Sequence, residues 1–345
     1  MLGSVQGRNH ALDTYKLLLS FMVFALHSRY IAPLGYLAVE SFFILNGLMF
    51  FVRGGGTNST NRGWRARVWH KLRQLYPPFF IITTFGTAAE FFFTKNTSLL
   101  VQYLPSLVFL RPFYAFRIST LRSTGSLWYI HVYLFVFFLF CVLSDWLGQE
   151  KLDAVCLVLA VGSLMGIIAK SESGGWNFSW ERGLFGIVPI GFLRGTMGFS
   201  LGYLLGRGYA SHQDNSTLSE RTVTILQVVS LSGCLLIVFK APVDWIYDPL
   251  YLVLSLAFIV SLYAKRGAVW RIFDAVPFSI SKYSTAIFFS HQLVITIAYF
   301  LMGGHVRTKK EFLAVTAAVV AAAIVLEAAL GRFYSAKKMP DRGIK

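Results

Sequence analysis

Apolar runs of about twenty residues, parted by short polar or basic stretches, recur along the whole 345-residue sequence. A helix needs ~20 apolar residues to cross the hydrocarbon of a bilayer. Runs of about that length lie at 12–31, 34–53, 74–94, 126–147, 152–169, 184–206, 222–240, 246–264, 283–302 and 311–332. The pattern predicts an all-α, polytopic membrane protein with about ten transmembrane helices. It forms a single membrane-embedded domain over 1–345 with a tail at about 333–345, because no polar block is long enough to build a core of its own.

The polar residues inside the apolar runs change this picture most, because an ionisable side chain at bilayer depth is costly and marks function by default. Lys16 and His27 share the first run, Glu40 stands in the second and Arg194 in the sixth. Lys16 and His27 are eleven residues apart, three helical turns plus roughly 20°, so they lie on one stripe about 16 Å apart along the axis. The first two runs are antiparallel across a short turn at Ala32 and Pro33. That predicts His27 and Glu40 at similar depth. Gly195, Gly198, Gly202 and Gly206 line one face of the sixth run and would allow a neighbouring helix to approach closely. Arg194 beside them must find a carboxylate, carbonyls or water, and Glu40 is one candidate partner.

Composition agrees with the pattern. Apolar residues make up 55% of the chain and charged residues 14%, with a mean hydropathy of +0.58, outside the range of soluble domains. The formal charge of +16 does not imply nucleic acid, since the basic residues sit in short loops between apolar runs. That is the distribution of loops facing an anionic cytoplasmic leaflet. The loop from Arg53 to Arg73 alone carries six Lys and Arg. Its bias places the N- and C-termini in the cytoplasm, against the three basic residues Arg307, Lys309 and Lys310 on the opposite side. Arg65, Arg67, Lys71 and Arg73 form a basic group at that membrane face, suited either to topology alone or to an anionic ligand. Cys141, Cys156 and Cys234 lie in apolar runs without metal-ligand spacing and read as core residues. No metal site is expected.

Several segments together resemble one family. A basic residue, ten intervening positions and a His (Lys16 to His27) are followed by Gly35, Leu37, Val39, Glu40, Phe42, Phe43, Leu45 and Gly47. The loop ends KLRQLYPPFF, and the fourth run opens GSLWY with Gly125, Trp128 and Tyr129. Arg194 precedes a glycine-rich run; Ser284, Ile287, Phe288, Phe289 and His291 stand in the ninth run; Glu327 and Arg332 close the last. This order resembles acyltransferase family 3, bacterial integral-membrane proteins that O-acylate polysaccharides and related glycans. Asn46 stands where the family usually has Ser, Glu40 where Asp is commoner, and Gln74 where a second Arg of the loop motif is usual.

The resemblance implies a membrane O-acyltransferase of the bacterial inner membrane. It would move an acetyl or similar small acyl group from acetyl-CoA, or another acyl-CoA, to a sugar hydroxyl of a polysaccharide or lipid-linked glycan. It implies no bound cofactor and no nucleic-acid partner; membrane lipids surround the chain. His27 is the expected general base, since an imidazole titrates near neutrality, with Glu40 orienting its ring. Lys16, Lys71 and Arg73 would hold the donor, and His291 would face its path. Asn46, Trp128, Arg194 and Ser284 complete the intramembrane polar set. Counting from Tyr283, His291 should lie about 12 Å deep and His27 some 22 Å, a difference of roughly 10 Å and too far for a hydrogen-bonded pair. A transporter or flippase lined by Lys16, Arg194 and Glu327 is the rival reading.

Overall fold

The computed structural model describes residues 9–55, 63–109, 122–170, 176, 183–184, 188–212 and 218–336. Parts of the predicted loops (56–62, 110–121) and the end of the tail (337–345) fall outside them. The chain is helical almost throughout: α1 (His10–His27), α2 (Ala38–Phe50), α3 (Trp64–Thr94), α4 (Ser98–Leu107), α5 (Trp128–Ile168), α6 (Ile190–His212), α7 (Glu220–Lys240), α8 (Tyr247–Tyr263), α9 (Ala268–Asp274), α10 (Phe278–Ser281), α11 (Ser284–Met302) and α12 (Lys309–Ala336). A single antiparallel pair of two-residue strands, Gly183–Leu184 and Val188–Pro189, is the described β structure.

By length and hydropathy, five helices can cross a membrane, or six if the bent pair α8–α9 is one span. The predicted number of ten is therefore not confirmed. The shortfall has a physical cause. Asp13 and Lys16 in α1, Pro77, Pro78 and Glu90 in α3, and Arg194 in α6 lower the hydropathy of helices that still pack into the bundle. The two runs predicted at 126–147 and 152–169 remain two helical stretches of α5, which part at Gly148, where φ is 64° and ψ 171°, a conformation that only glycine adopts freely. The connection between the third and fourth runs carries a ten-residue helix, α4.

Two helix pairs set the architecture. In the first, α2 and α6 approach backbone to backbone. A Cβ added to Gly202 would lie 1.9 Å from the Ile44 carbonyl oxygen, and one on Gly47 2.0 Å from that of Phe199. The predicted small-residue face of α6 therefore has α2 as its occupant, and Phe43, Ile44, Phe199 and Tyr203 are fully buried around it.

In the second, α1 and α11 run side by side in the same direction. Ser20 Oγ donates to the Ser284 carbonyl at 2.9 Å and lies 3.1 Å from the Ser284 hydroxyl. The chain reaches this point through α9 and α10, which pack beside the first turns of α1; Thr14 Oγ1 donates to the Phe273 carbonyl at 2.8 Å. Helix α11 thus starts level with the middle of α1, about ten residues or 15 Å along it. The depth expected from a start at the membrane face is corrected accordingly.

Gly202→Ala is expected to force α2 and α6 apart and to cost about 1–3 kcal/mol. It should lower the thermal unfolding midpoint of the purified protein, whereas Gly208→Ala, whose Cβ would meet no atom within 4 Å, should not.

Candidate active site

Seven residues, two helical turns, separate Ser20 from His27 and Ser284 from His291. Because α1 and α11 are parallel and locked at the two serines, the imidazoles two turns on meet. Their ring centroids are 5.3 Å apart with planes inclined by 29°. The expected depth difference of roughly 10 Å is overturned. What survives is narrower: no hydrogen bond joins the rings. His291 is fully buried, its Nδ1 3.2 Å from the Ile287 carbonyl and its Nε2 unpartnered. His27 is half-buried at the last turn of α1, open on one side.

Toward the start of α1, a second polar group forms around Lys71. This lysine lies in the first turns of α3, before the apolar stretch that begins at Leu75, and its side chain turns inward over the Tyr133 ring at 5.3 Å. Burial above all, then the repulsion of Arg53 and of Lys16, pushes its pKa down to about 7. Lys16 itself is held 3.4 Å from Asp13. Three cations therefore come together where α1 and the start of α3 meet the segment that follows α2, with Arg53 exposed. The rest of the predicted basic group is dispersed. Arg67 pairs with Asp145 and donates to the Cys141 carbonyl and the Ser144 hydroxyl. Arg65 lies over Trp64. Arg73 is exposed and lies over Trp69, 4.9 Å from its ring. Two residues separate Arg73 from Lys71, about 200° around a helix, so they cannot share a site. The pairing of Arg73 with Lys71 is corrected; Arg53 takes its place.

A file of side chains joins the two groups. Tyr133 stacks on Tyr129 at 5.9 Å, Tyr129 meets Phe288 at 5.2 Å, and Phe288 meets His291 at 5.8 Å. Asn46 donates to Tyr129 Oη at 2.7 Å and to the Phe42 carbonyl at 2.8 Å, which fixes the phenol in the file. The cations and the imidazoles thus stand at the two ends of one packed file of buried rings, parallel to the Lys16–His27 stripe. Among the described residues no cluster of His, Cys, Asp and Glu could hold a metal ion.

Glu40 is not part of this path. Its carboxylate pairs with Arg194 Nε, both side chains are buried, and no hydrogen bond reaches His27. The expected orienting role is corrected: Glu40 sits on the face of α2 turned to the glycines of α6, one turn from the closest approach. Arg194 also donates to the carbonyls of Trp176 at 3.0 Å and Tyr36 at 3.2 Å, and its guanidinium lies 5.3 Å from the Trp128 ring. Asp248 completes the group, accepting from the Trp176 backbone N–H and from Tyr36 Oη at 2.7 Å. Two carboxylates and one guanidinium therefore clamp the backbone of a connecting segment to α2, α6 and α8.

With the geometry in view, comparison with known proteins is decisive on one point. The family model described as an acyltransferase domain, acyltransferase family 3, matches residues 9–331, nearly the whole chain. The chain belongs to this family. No curated protein and no solved structure matches it. It is therefore a membrane O-acyltransferase, and the two polar groups are read in that light.

Of the residues in these two groups, Lys16 and His27 stood out by helical spacing, and Lys71, Asn46, Ser284 and His291 through the family resemblance. Arg53, Tyr133 and Ser20 were missed. Arg53 looked like an ordinary loop cation, Tyr133 like one more aromatic, and Ser20 like a small residue in a run of leucines. A heptad comparison of Ser20–His27 with Ser284–His291 is the signal that would have paired the imidazoles.

Removing one partner of a buried ion pair leaves the other uncompensated, at about 3–5 kcal/mol. Arg194→Ala and Glu40→Ala should each lower the folded yield and unfolding midpoint by such an amount. The double variant should lose less than the sum, in a thermal-unfolding cycle on the purified acyltransferase.

Proposed function

We propose that the protein transfers an acetyl or similar small acyl group from an acyl-CoA to a sugar hydroxyl of a polysaccharide or lipid-linked glycan. The observation that supports this reading is the file of rings that runs from Lys16, Arg53 and Lys71 at one end to the His27–His291 pair at the other. An acyl-CoA has the matching polarity: an anionic phosphate-bearing head, a long thin arm, and a thioester at the tip. We place the cation end, with both chain termini, at the cytoplasmic face of a bacterial inner membrane, where the donor is made. The phosphates would lie among the three cations by charge-assisted hydrogen bonds, with the arm along Tyr133, Tyr129 and Phe288. The thioester would then arrive beside the imidazoles.

The chemistry follows from the exposed side of His27. Its neutral imidazole takes the proton of the acceptor hydroxyl as the oxygen attacks the thioester carbonyl. The new C–O bond forms, the C–S bond breaks, and the imidazolium returns its proton to the departing thiolate. The three cysteines are free and buried, and none has a neighbouring histidine among the described residues to activate it, so we take the transfer as direct, without an acyl-enzyme. His291, buried and stacked on His27, holds the base's ring orientation and flanks the thioester. Helix packing fixes it there through α1 and α11. Both imidazoles must not be charged together at that spacing, since like charges a few ångström apart in a desolvated setting repel strongly.

His27→Ala should lower turnover by ~10²–10⁴-fold at normal protein level. His291→Ala should cost less, and the double variant should be no slower than His27→Ala, because residues acting as a unit are not additive. Additive losses in a transfer assay on purified protein would separate the two rings in function.

Lys71 gives a pH signature. A lysine whose free-protein pKa is held near 7 is charged below that pH and loses its charge as pH rises through it. The donor KM should therefore increase above about pH 7, until the pH at which the donor-bound lysine itself deprotonates. Lys71→Arg, always charged, should flatten that rise while leaving the saturated rate close to wild type. A donor KM independent of pH in the wild-type protein would remove Lys71 from the phosphate site.

A further inference from the structure

Beside the imidazole pair lies a second polar group that the donor path does not use. Helix α3, the 3₁₀ turn Arg122–Leu127 and helix α11 pack against one another. Helices α3 and α11 run in the same direction, and Phe93 stacks on Phe300 at 4.9 Å. Stepping back equally along both places Thr83 level with Ser290 and His291, and Glu90 level with Ile297. Glu90 in turn accepts from the backbone N–H of Ser123 at 3.2 Å and from its hydroxyl at 3.1 Å, which sets the turn at the same height. Ser126 follows one 3₁₀ turn later, just before α5 begins at Trp128.

At this junction five buried polar atoms have no partner within the protein: Thr83 Oγ1, Ser126 Oγ, His291 Nε2, Gln292 Oε1 and Thr296 Oγ1. Thr83, Ser126, His291 and Thr296 are each buried to nine-tenths or more. On α11 they span five residues, about 7.5 Å of depth. Buried polar atoms are almost always paired, and each unpaired one costs free energy. Helix packing alone gives no reason to place five on three facing elements. Four of the five belong to hydroxyl or amide side chains and none is a permanent cation, so the group does not suit a phosphate. Hydroxyls that both donate and accept would satisfy all of them.

We infer that the junction of α3, the Arg122–Leu127 turn and α11 binds the hydroxyls of the acceptor sugar. The inference rests on the acyltransferase reading and adds to it a sugar site beside His291, further along α11 than Phe288 of the donor file. The sugar would be held by Thr83, Ser126, Gln292 and Thr296, with the hydroxyl to be acylated directed at His27. Selectivity among sugars and among hydroxyl positions would then reside in these side chains and not in the imidazoles.

The test uses the full chain purified into lipid nanodiscs, labelled acetyl-CoA, and the glycan extracted from cells that lack this protein. Thr83→Val, Ser126→Ala and Thr296→Val remove one hydroxyl each with little change of shape. Each should raise the half-saturating glycan concentration about three- to tenfold, with the donor KM unchanged. Thr296→Ser keeps the hydroxyl and should stay close to wild type, which separates a lost hydrogen bond from a packing defect. Wild-type transfer with unaltered glycan saturation in all three variants overturns the inference, as does a parallel shift of the donor KM. A Thr296→Ser as impaired as Thr296→Val does so too. A wild-type protein that moves no acyl group to the extract overturns the functional reading, and this inference with it.

Discussion

The cost of leaving a polar group unpaired in a medium without water governs this molecule. A charge at bilayer depth must find a counter-charge, a carbonyl or a wet surface, and the polar residues of the bundle sort themselves by how they meet that demand. Glu40, Arg194, Asp248 and Tyr36 meet it largely among themselves, with Glu40 Oε2 left without a partner, and the group ties α2, α6 and α8 to the backbone of Trp176. Lys71, Lys16 and Arg53 are three like charges held close together, with Asp13 beside Lys16 and Gln74 beside Lys71. His27 and His291 meet it by stacking, with one ring nitrogen of His291 left bare. The incompletely satisfied groups are where a substrate can supply what the protein does not.

Packing makes this sorting possible. The glycines of α6 let α2 come close enough for Glu40 to reach Arg194. The Ser20–Ser284 contact fixes the relative height of α1 and α11, and with it the meeting of the imidazoles. Neither device touches a substrate, yet each decides which polar side chains are consumed by the fold and which remain for chemistry. A buried ion pair adds little net stability over an apolar alternative, so the Glu40–Arg194 group is better understood as specifying which helices meet than as strengthening them.

The all-α membrane class was legible from apolar run length alone, and the Lys16–His27 stripe from helical arithmetic. Both depend only on local geometry. Errors arose where height and rotation between helices mattered. The depth of His291 was misjudged because the ninth apolar run was taken to start at the membrane face, whereas α9 and α10 lead the chain well along α1 first. Glu40 was assigned to His27 because the two share a depth, but α2 turns that carboxylate to α6. Arg73 was grouped with Lys71 by proximity in sequence, though a separation of two residues points them apart on a helix. In each case the sequence carried the residue and the tertiary rotation decided its company.

The central claim is that one donor molecule spans the path from the three cations to the imidazole pair. An experimental structure of the full chain with a non-hydrolysable acyl-CoA analogue, its sulfur replaced so that the acyl group cannot leave, tests this most directly. The account predicts the phosphates among Lys16, Arg53 and Lys71, the arm against Tyr133, Tyr129 and Phe288, and the acyl carbonyl beside His27 and His291. An analogue bound with its nucleotide at the imidazole end, or outside this path altogether, would contradict it.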